Sequence, residues 1–486
     1  MSAEHGSRAS AKGPDPPHPA SGSPQSLGGS TEERVPFSVI FAFSVPIAAM
    51  SMVFTPFGIY WMKYATDVLL VAPGAIGVVR SVASLWDAIS DPLVGNLTDR
   101  TQTRWGRRRP WIVAGAIPLG LTYVLLWTPP ASLDGLSLIL WIGAAYLLYE
   151  TASTVVFVPY QALGLEISEG HHDRTRVFAW QKIIMAAGSA GGLGTIYLLL
   201  NASDKRSMAF WLAVAAGGAI AAAMVFAASK VPERDNYQRR GVAPLGRSFG
   251  DVFRNPHARI FLAASTIEAF GMAIVPGLVM YVLDDVLQDE SVIYIILAVY
   301  MGLQFGLIPL WVRLSHRIGK KTLWLTGMGV STVGFAATMM LEPGAYLVMY
   351  FSICCLAVGL GISTVIGPSV TADIIDADEL RTGERKEGSY AGVMNFIRKL
   401  GLSLAASVAG FGLEFSGYDP ALEVQPQQVQ DAIVWMAGGI PFVCYAIGTL
   451  LFARFGLTSE EHARIQRELA VQREQAAERE GPHRTD

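Results

Sequence analysis

Charge is scarce in this chain. Only 16% of its 486 residues are Asp, Glu, Lys or Arg, against roughly 25% in soluble domains; 51% are hydrophobic and the mean hydropathy is +0.37. That balance argues against an ordinary soluble enzyme and makes lipid the main solvent. The net charge is only −3, and no basic face with interleaved aromatics is present, so nucleic acid is not an expected partner. Cysteine is nearly absent. Cys354, Cys355 and Cys444 lie in apolar runs without the paired spacing of a zinc site or a disulfide framework, and are expected to be small packing residues. Catalytic signatures are missing too: the apolar segments hold no HExxH, no GxSxG and no His pair at ligand spacing. A membrane enzyme acting on lipid-linked substrates would need such a nucleophile or metal cluster. No enzymatic activity and no cofactor are therefore expected. Residues 1–35, rich in Ser, Pro, Gly and Ala, lack an apolar core and read as a disordered tail rather than a cleaved signal peptide.

What the chain does have is long apolar runs. A bilayer core of about 30 Å needs ~20 apolar residues in a helix. Twelve runs qualify: 36–62, 72–98, 110–129, 136–163, 177–200, 207–229, 257–284, 292–313, 321–341, 344–371, 388–415 and 431–455. The second is the least hydrophobic because it holds Arg80, Asp87 and Asp91. Lys and Arg concentrate in the connections after runs two, four, six, eight and ten, whereas the alternate connections hold chiefly Lys63, Lys205 and Arg206. By the positive-inside rule the basic connections are cytoplasmic, which places both termini there and requires an even number of spans. The polar stretch 231–256 separates a six-helix bundle at 36–230 from a second at 257–455, and 456–486 reads as a solvated helix fraying into a cytoplasmic tail. The halves look related. Arg104-Trp105-Gly106-Arg107-Arg108-Arg109 follows run two, and His316-Arg317-Ile318-Gly319-Lys320-Lys321 follows run eight, as parallel repeats about an axis normal to the membrane would give. The expected fold is an all-α membrane protein of twelve helices in two pseudo-symmetric bundles.

The chemistry centres on run two. Trp86-Asp87-Ala88-Ile89-Ser90-Asp91-Pro92 places two carboxylates at i and i+4 on one helix face. Intramembrane acids are expensive and normally serve an ion or a substrate, and two anions this close repel unless a cation sits between them. Sodium, lithium or a shared proton would each relieve the conflict. The plainer alternative is a structural pair neutralised by Arg80 or by lysines on neighbouring helices. Hard cations prefer oxygen ligands, which Ser90 on the adjacent edge and Thr154 in run four would supply. Lys182, Lys399 and Glu150, also within spans, are candidates for receiving substrate or for responding to cation occupancy. At the cytoplasmic ends, Arg104, Arg107 and Arg108 are candidate gate partners for Asp376 and Glu379, forming ion pairs that would break when that face opens.

Three stretches carry a family resemblance. They are Asp87-Ala88-Ile89-Ser90-Asp91-Pro92-Leu93 with Asp99-Arg100-Thr101 and Arg104 to Pro110, then Asp373-Ile374-Ile375-Asp376-Ala377-Asp378-Glu379 with Thr382 to Gly388, and Val158-Pro159-Tyr160-Gln161. From about residue 36 to 455 the chain resembles the glycoside-pentoside-hexuronide:cation symporters, the melibiose carrier group of the major facilitator superfamily. The resemblance implies that Asp87 and Asp91 bind a cation (Na+ as the candidate metal ion) with Ser90 and Thr154 in support. It also implies that Lys399 links cation and substrate binding, and that Lys182 or Gln181 matches a substrate-contacting arginine. The sugar site departs from the family: residues near Ser51 and at Phe157 stand where the melibiose carriers have acids, and Gln161 where they stack a tryptophan on the sugar. Lysolipid symporters share the cation motif with a more apolar cavity.

The resulting expectation is a secondary active transporter that couples Na+, Li+ or H+ to symport of a sugar or glycoside by alternating access. It would sit in the plasma membrane, as in a bacterial inner membrane, as a monomer. A cation-coupled lysolipid or other amphiphile symporter is the first alternative. A non-transporting membrane sensor or scaffold is another, against which the intact Asp87 and Asp91 argue.

Overall fold

The computed structural model describes residues 35–167, 171–233, 250 and 252–480. Every regular element among them is helical. The first half of the chain contributes α1 (Phe37–Ile59), a short α2 (Trp61–Asp67), α3 (Pro73–Arg100), α4 (Arg109–Trp127), α5 (Gly135–Glu166), α6 (His171–Leu200) and α7 (Lys205–Lys230). In the second half, α8 (Pro256–Tyr281) continues through a π turn (Val282–Val286) and is followed by α9 (Ile293–Gly306), α10 (Ile308–Ile318), α11 (Lys320–Thr338), α12 (Tyr346–Thr382) and α13 (Glu387–Ser416). Next, α14 (Gln427–Val434) runs through a second π turn (Trp435–Gly439) into α15 (Ile440–Ala453), and α16 (Ser459–Glu480) closes the described chain. Residues 1–34, the linker residues 234–249 and residues 481–486 lie outside the described residues, so the expected disordered tail and most of the 231–256 linker are not described.

Local sequence sets the helix ends. Asp204 accepts the Arg206 and Ser207 amides at 3.0 Å to start α7. Asn255 does the same for His257 and Ala258, followed by Pro256 in the first turn of α8, where a missing N–H costs nothing. Gly106 (φ 102°) and Gly319 (φ 83°) occupy corresponding places in the two basic loops, and this left-handed backbone favours glycine. Both basic loops thus turn on a glycine, although the first connection spans 101–108 and the second is Gly319 alone.

Nine helical segments among the described residues are long and apolar enough to cross a membrane, and α9 with α10, bent by 46°, makes ten. Twelve are not reached on length and composition. The shortfall falls on the runs expected at 72–98 and 321–341. There α3 and α11 have 28 and 19 residues, but α3 carries Arg80, Asp87, Asp91, Asp99 and Arg100. In turn α11 opens on Lys320-Lys321 and is rich in Gly, Ser and Thr.

The two halves share an apolar core at one end. One apolar core runs through the first half and takes in Ile274, Leu278, Tyr281, Ile296, Ala409, Leu413 and Ile433 from the second; a separate core, including Trp324, Ile362, Phe452 and Leu469, stays within the second half. The main seam is α3 on α13. A Cβ on Gly77 would lie 2.9 Å from the Ala406 carbonyl oxygen, and one on Gly410 2.5 Å from the Pro73 carbonyl oxygen. Small residues at such a seam let helix backbones approach closely, which is how transmembrane helices associate without a hydrophobic gain. Ser81 Oγ donates to the Ser403 carbonyl at 2.5 Å and Ser403 Oγ to the Ser81 carbonyl at 3.0 Å. Farther out, Glu414 accepts the Gly74 amide at 2.9 Å.

Candidate functional site

Asp87 and Asp91 lie one turn apart on α3, near the point where the α3–α13 seam ends. Thr154 on α5 donates to Asp87 Oδ1 at 3.0 Å, and the Thr154 and Ser90 hydroxyls are 3.2 Å apart. Ser90 also bonds back to the Asp87 carbonyl at 3.3 Å. Into this oxygen-lined corner α13 inserts Lys399. Its ammonium is 2.7 Å from Asp87 Oδ2 and 2.5 Å from Asp91 Oδ2, and donates to the Asp87 carbonyl at 3.2 Å. An ammonium has three protons, and all three have oxygen acceptors here. Lys399 is buried, at 7% exposure, whereas the Asp87 and Asp91 side chains keep 26% and 27%. The acids are thus approachable from a side that the lysine is not.

Two carboxylates against one ammonium leave one negative charge, which a single monovalent cation would balance. The carboxylates, two hydroxyls and a carbonyl form an all-oxygen donor set suited to a hard cation. Lys399 already stands at its centre, so an arriving cation and the ammonium compete for the same oxygens. The neutralising partner of the pair is Lys399 and not Arg80, which makes no ion pair among the described residues and lies by Met62 Sδ at 4.0 Å. Glu150, one turn before Thr154 on α5, lies within electrostatic reach of Asp87, Lys399, Asp91 and Arg80 but bonds to none of them. Lys182 on α6 is exposed and makes no ion pair or hydrogen bond among the described residues. The structure therefore brings together Asp87, Ser90, Asp91, Thr154 and Lys399, with Glu150 beside them, and leaves Lys182 apart.

The expected gate residues do not meet. Arg107 and Arg108 face Asp99 at 3.8 and 3.5 Å, and their amides donate to Glu233 Oε1 at 3.0 and 3.2 Å. Arg104 lies over the Trp105 ring. Asp376 instead takes Arg385 at 3.0 Å, Gln466 at 2.6 Å and His462 at 3.2 Å. Glu379 takes Arg385 and Arg473, both at 2.8 Å. These partners lie on each cluster's own side of the chain: Asp99 and Glu233 for Arg107 and Arg108, and Arg385, His462, Gln466 and Arg473 for Asp376 and Glu379. Among the described residues Arg104, Arg107 and Arg108 form no ion pair with Asp376 or Glu379.

The opposite end holds a cluster that sequence reasoning missed. Lys63 of α2, at 4% exposure, lies 2.7 Å from Asp285, 2.8 Å from Asp284 and 3.1 Å from Asp67. It donates to the Tyr418 hydroxyl at 3.2 Å, and that hydroxyl donates to Asp67 at 2.9 Å. Burial alone would lower the Lys63 pKa, yet Asp67 and Asp285 hold it well above its ordinary value. Residues from both halves meet here, so the cluster closes this face. The signal was present: Lys63 is one of few basic residues in its set of connections, and Asp284-Asp285 ends the apolar run of α8.

The family model for MFS/sugar transport proteins matches residues 42–459. The chain belongs to that family. It is a major facilitator transporter of the glycoside-pentoside-hexuronide:cation symporter type, and its relatives and fold are those of transporters rather than enzymes. It is 28% identical over 87% of its length, and 92% of the relative's, to the inner membrane symporter YicJ of Escherichia coli K12. It is 24% identical to the sodium-dependent lysophosphatidylcholine symporter 1-B of Danio rerio, with 86% of each chain covered. The fold matches the crystal structure of a bacterial homolog of the human lysosomal transporter Spinster, inward-facing and unoccupied, with a TM-score of 0.64 at 12% identity over 87% and 98% of the two chains. Within this family member, the positions that depart from the melibiose carriers are of mixed exposure. Ser51 is buried, Phe157 packs on Tyr160 with ring centroids 6.3 Å apart, and Gln161 is exposed.

Proposed function

We propose that this protein is a cation-coupled symporter in which Na+, Li+ or H+ competes with Lys399 for Asp87 and Asp91. The observation that carries this reading is the ammonium from the second half bonded to both carboxylates of the first. In this reading the lysine holds the halves together while the ion is absent. The coupling ion takes over the carboxylates and frees Lys399, and substrate near Glu150 completes the occupied state. The halves then rock about the midplane site. The face bearing Arg104 to Arg109, Asp376 and Glu379 is read as cytoplasmic, and the Lys63 cluster is read as the closed outer gate. The membrane potential adds about 2.3 kcal/mol per charge per 100 mV to inward cation movement.

The topology that goes with this reading is twelve spans, counting α3 and α11, in two six-helix bundles at 36–230 and 257–455. Both tails are cytoplasmic, and the protein is a monomer in a bacterial-type inner membrane. A sugar or glycoside is the leading substrate class, in line with the family to which the chain belongs. A lysolipid or other amphiphile is the second reading, favoured by Phe157 in place of an acid and by an apolar groove of about 410 Å³. Val82, Leu85, Trp86, Ile89, Leu148 and Thr151 are among the residues lining that groove. The test is uptake into proteoliposomes of labelled glycosides, uronic acids and lysophospholipids under imposed Na+, Li+ or H+ gradients. Gradient-driven uptake of a glycoside supports the leading reading and of a lysophospholipid the second; uptake indifferent to every cation gradient would sink both.

A further inference from the structure

Glu268 sits in the middle of α8 at 6% exposure, away from the Asp87–Asp91–Lys399 cluster. Four helices surround it. Ser363 of α12 donates to its Oε1 at 3.0 Å; Trp324 of α11 and Tyr445 of α15 face the same carboxyl. Tyr445 OH and Trp324 Nε1 nonetheless have no hydrogen-bond partner, although the two residues are buried to 1% and 5% exposure. The other titratable side chains facing this pocket are Tyr300 of α9 and Cys444 of α15, both acting on Tyr445. Among the described residues no Lys, Arg or His pairs with Glu268.

We infer that Glu268 is a proton-binding site inside the second bundle, separate from the coupling-ion site, and that this packing is that of the protonated carboxyl. An ionised carboxylate in hydrocarbon surroundings with one hydroxyl donor and no counter-charge would be strongly disfavoured. On proton loss the anion would depend on Ser363, Tyr445 and Trp324 alone, from α12, α15 and α11, so the site ties proton occupancy to packing of the second bundle.

The experiment is infrared spectroscopy of the purified full-length protein, comparing wild type, Glu268→Gln and Glu150→Gln at neutral and alkaline pH. A protonated-carboxyl absorption should be present in wild type and Glu150→Gln, be lost in Glu268→Gln, and fade in wild type at alkaline pH. Glu268→Gln should also retain thermal stability at alkaline pH where wild type loses it. If Glu268→Gln does not fold, Tyr445→Phe and Trp324→Phe keep the acid and should shift its absorption by altering the donors around it. An absorption unchanged in Glu268→Gln, or unmoved in both aromatic variants, overturns the assignment. These readouts require no transport substrate, so they stand or fall apart from the symport reading.

Discussion

Replacing Lys399 by Gln probes the competition between ammonium and coupling ion. In the wild type, Lys399 spans Asp87 at 2.7 Å and Asp91 at 2.5 Å from a buried position. Removing one partner of a buried ion pair costs about 3–5 kcal/mol. Part of that cost is the exposed repulsion: two carboxylates at i,i+4 spacing, ~6 Å apart, repel by about 3 kcal/mol at an effective dielectric of 20. The variant should therefore be several kcal/mol less stable in a sodium-free buffer. A cation that enters the vacated oxygen set no longer has to displace an ammonium, so it should bind Lys399→Gln more tightly than wild type. At 100 times its dissociation constant such an ion returns about 2.7 kcal/mol. The assay is thermal unfolding of purified protein in NaCl, LiCl and choline chloride at equal ionic strength, with a parallel series at mildly acidic pH. The expected result is a larger cation-dependent gain in Lys399→Gln than in wild type. A variant destabilised equally in every salt and at every pH would refute the reasoning and leave Lys399 as a purely structural neutraliser.

Two further substitutions test the closed face. Lys63→Met leaves Asp67, Asp284 and Asp285 facing one another without their cation, at a cost of about 3–5 kcal/mol for the broken buried cluster. It should raise labelling of a cysteine at Ser84 by an impermeant thiol reagent, in a background without Cys354, Cys355 and Cys444; unchanged labelling would mean the cluster does not hold that face. Gly410→Val places a side chain where even a Cβ would meet the Pro73 carbonyl oxygen at 2.5 Å. The same labelling should rise, with Gly410→Ala intermediate, and wild-type labelling in the valine variant would remove the α3–α13 seam from the closing mechanism.

The grouping of Asp87, Asp91, Ser90 and Thr154 was legible in the sequence because charged residues in apolar runs stand out singly. Asp87 and Asp91 at i,i+4 declare one helix face, and Ser90 and Thr154 follow from helix spacing and the family motif. That Lys399 is their direct partner was not legible, since it lies 308 residues from Asp91 along the chain and only packing of α3 on α13 brings them together. The Lys63 cluster was hidden for a similar reason: its members come from α2, the π turn after α8 and the end of α13, each unremarkable alone. The gate residues were legible as charges but not as pairs, because the same Asp376 and Glu379 can be satisfied by Arg385, Gln466 and Arg473 of their own half. The expected twelve spans exceed the nine to ten segments long and apolar enough to cross a membrane among the described residues, because the charges in α3 lower its hydropathy.

The most direct measurement is the cation-dependent thermal stability of Asp87→Asn and Asp91→Asn beside wild type, all as full-length purified protein. Wild type should gain stability with Na+, Li+ or acid, and each variant should remain folded but lose that gain. Wild-type cation stabilisation retained in both variants would contradict an ion site at this carboxylate pair.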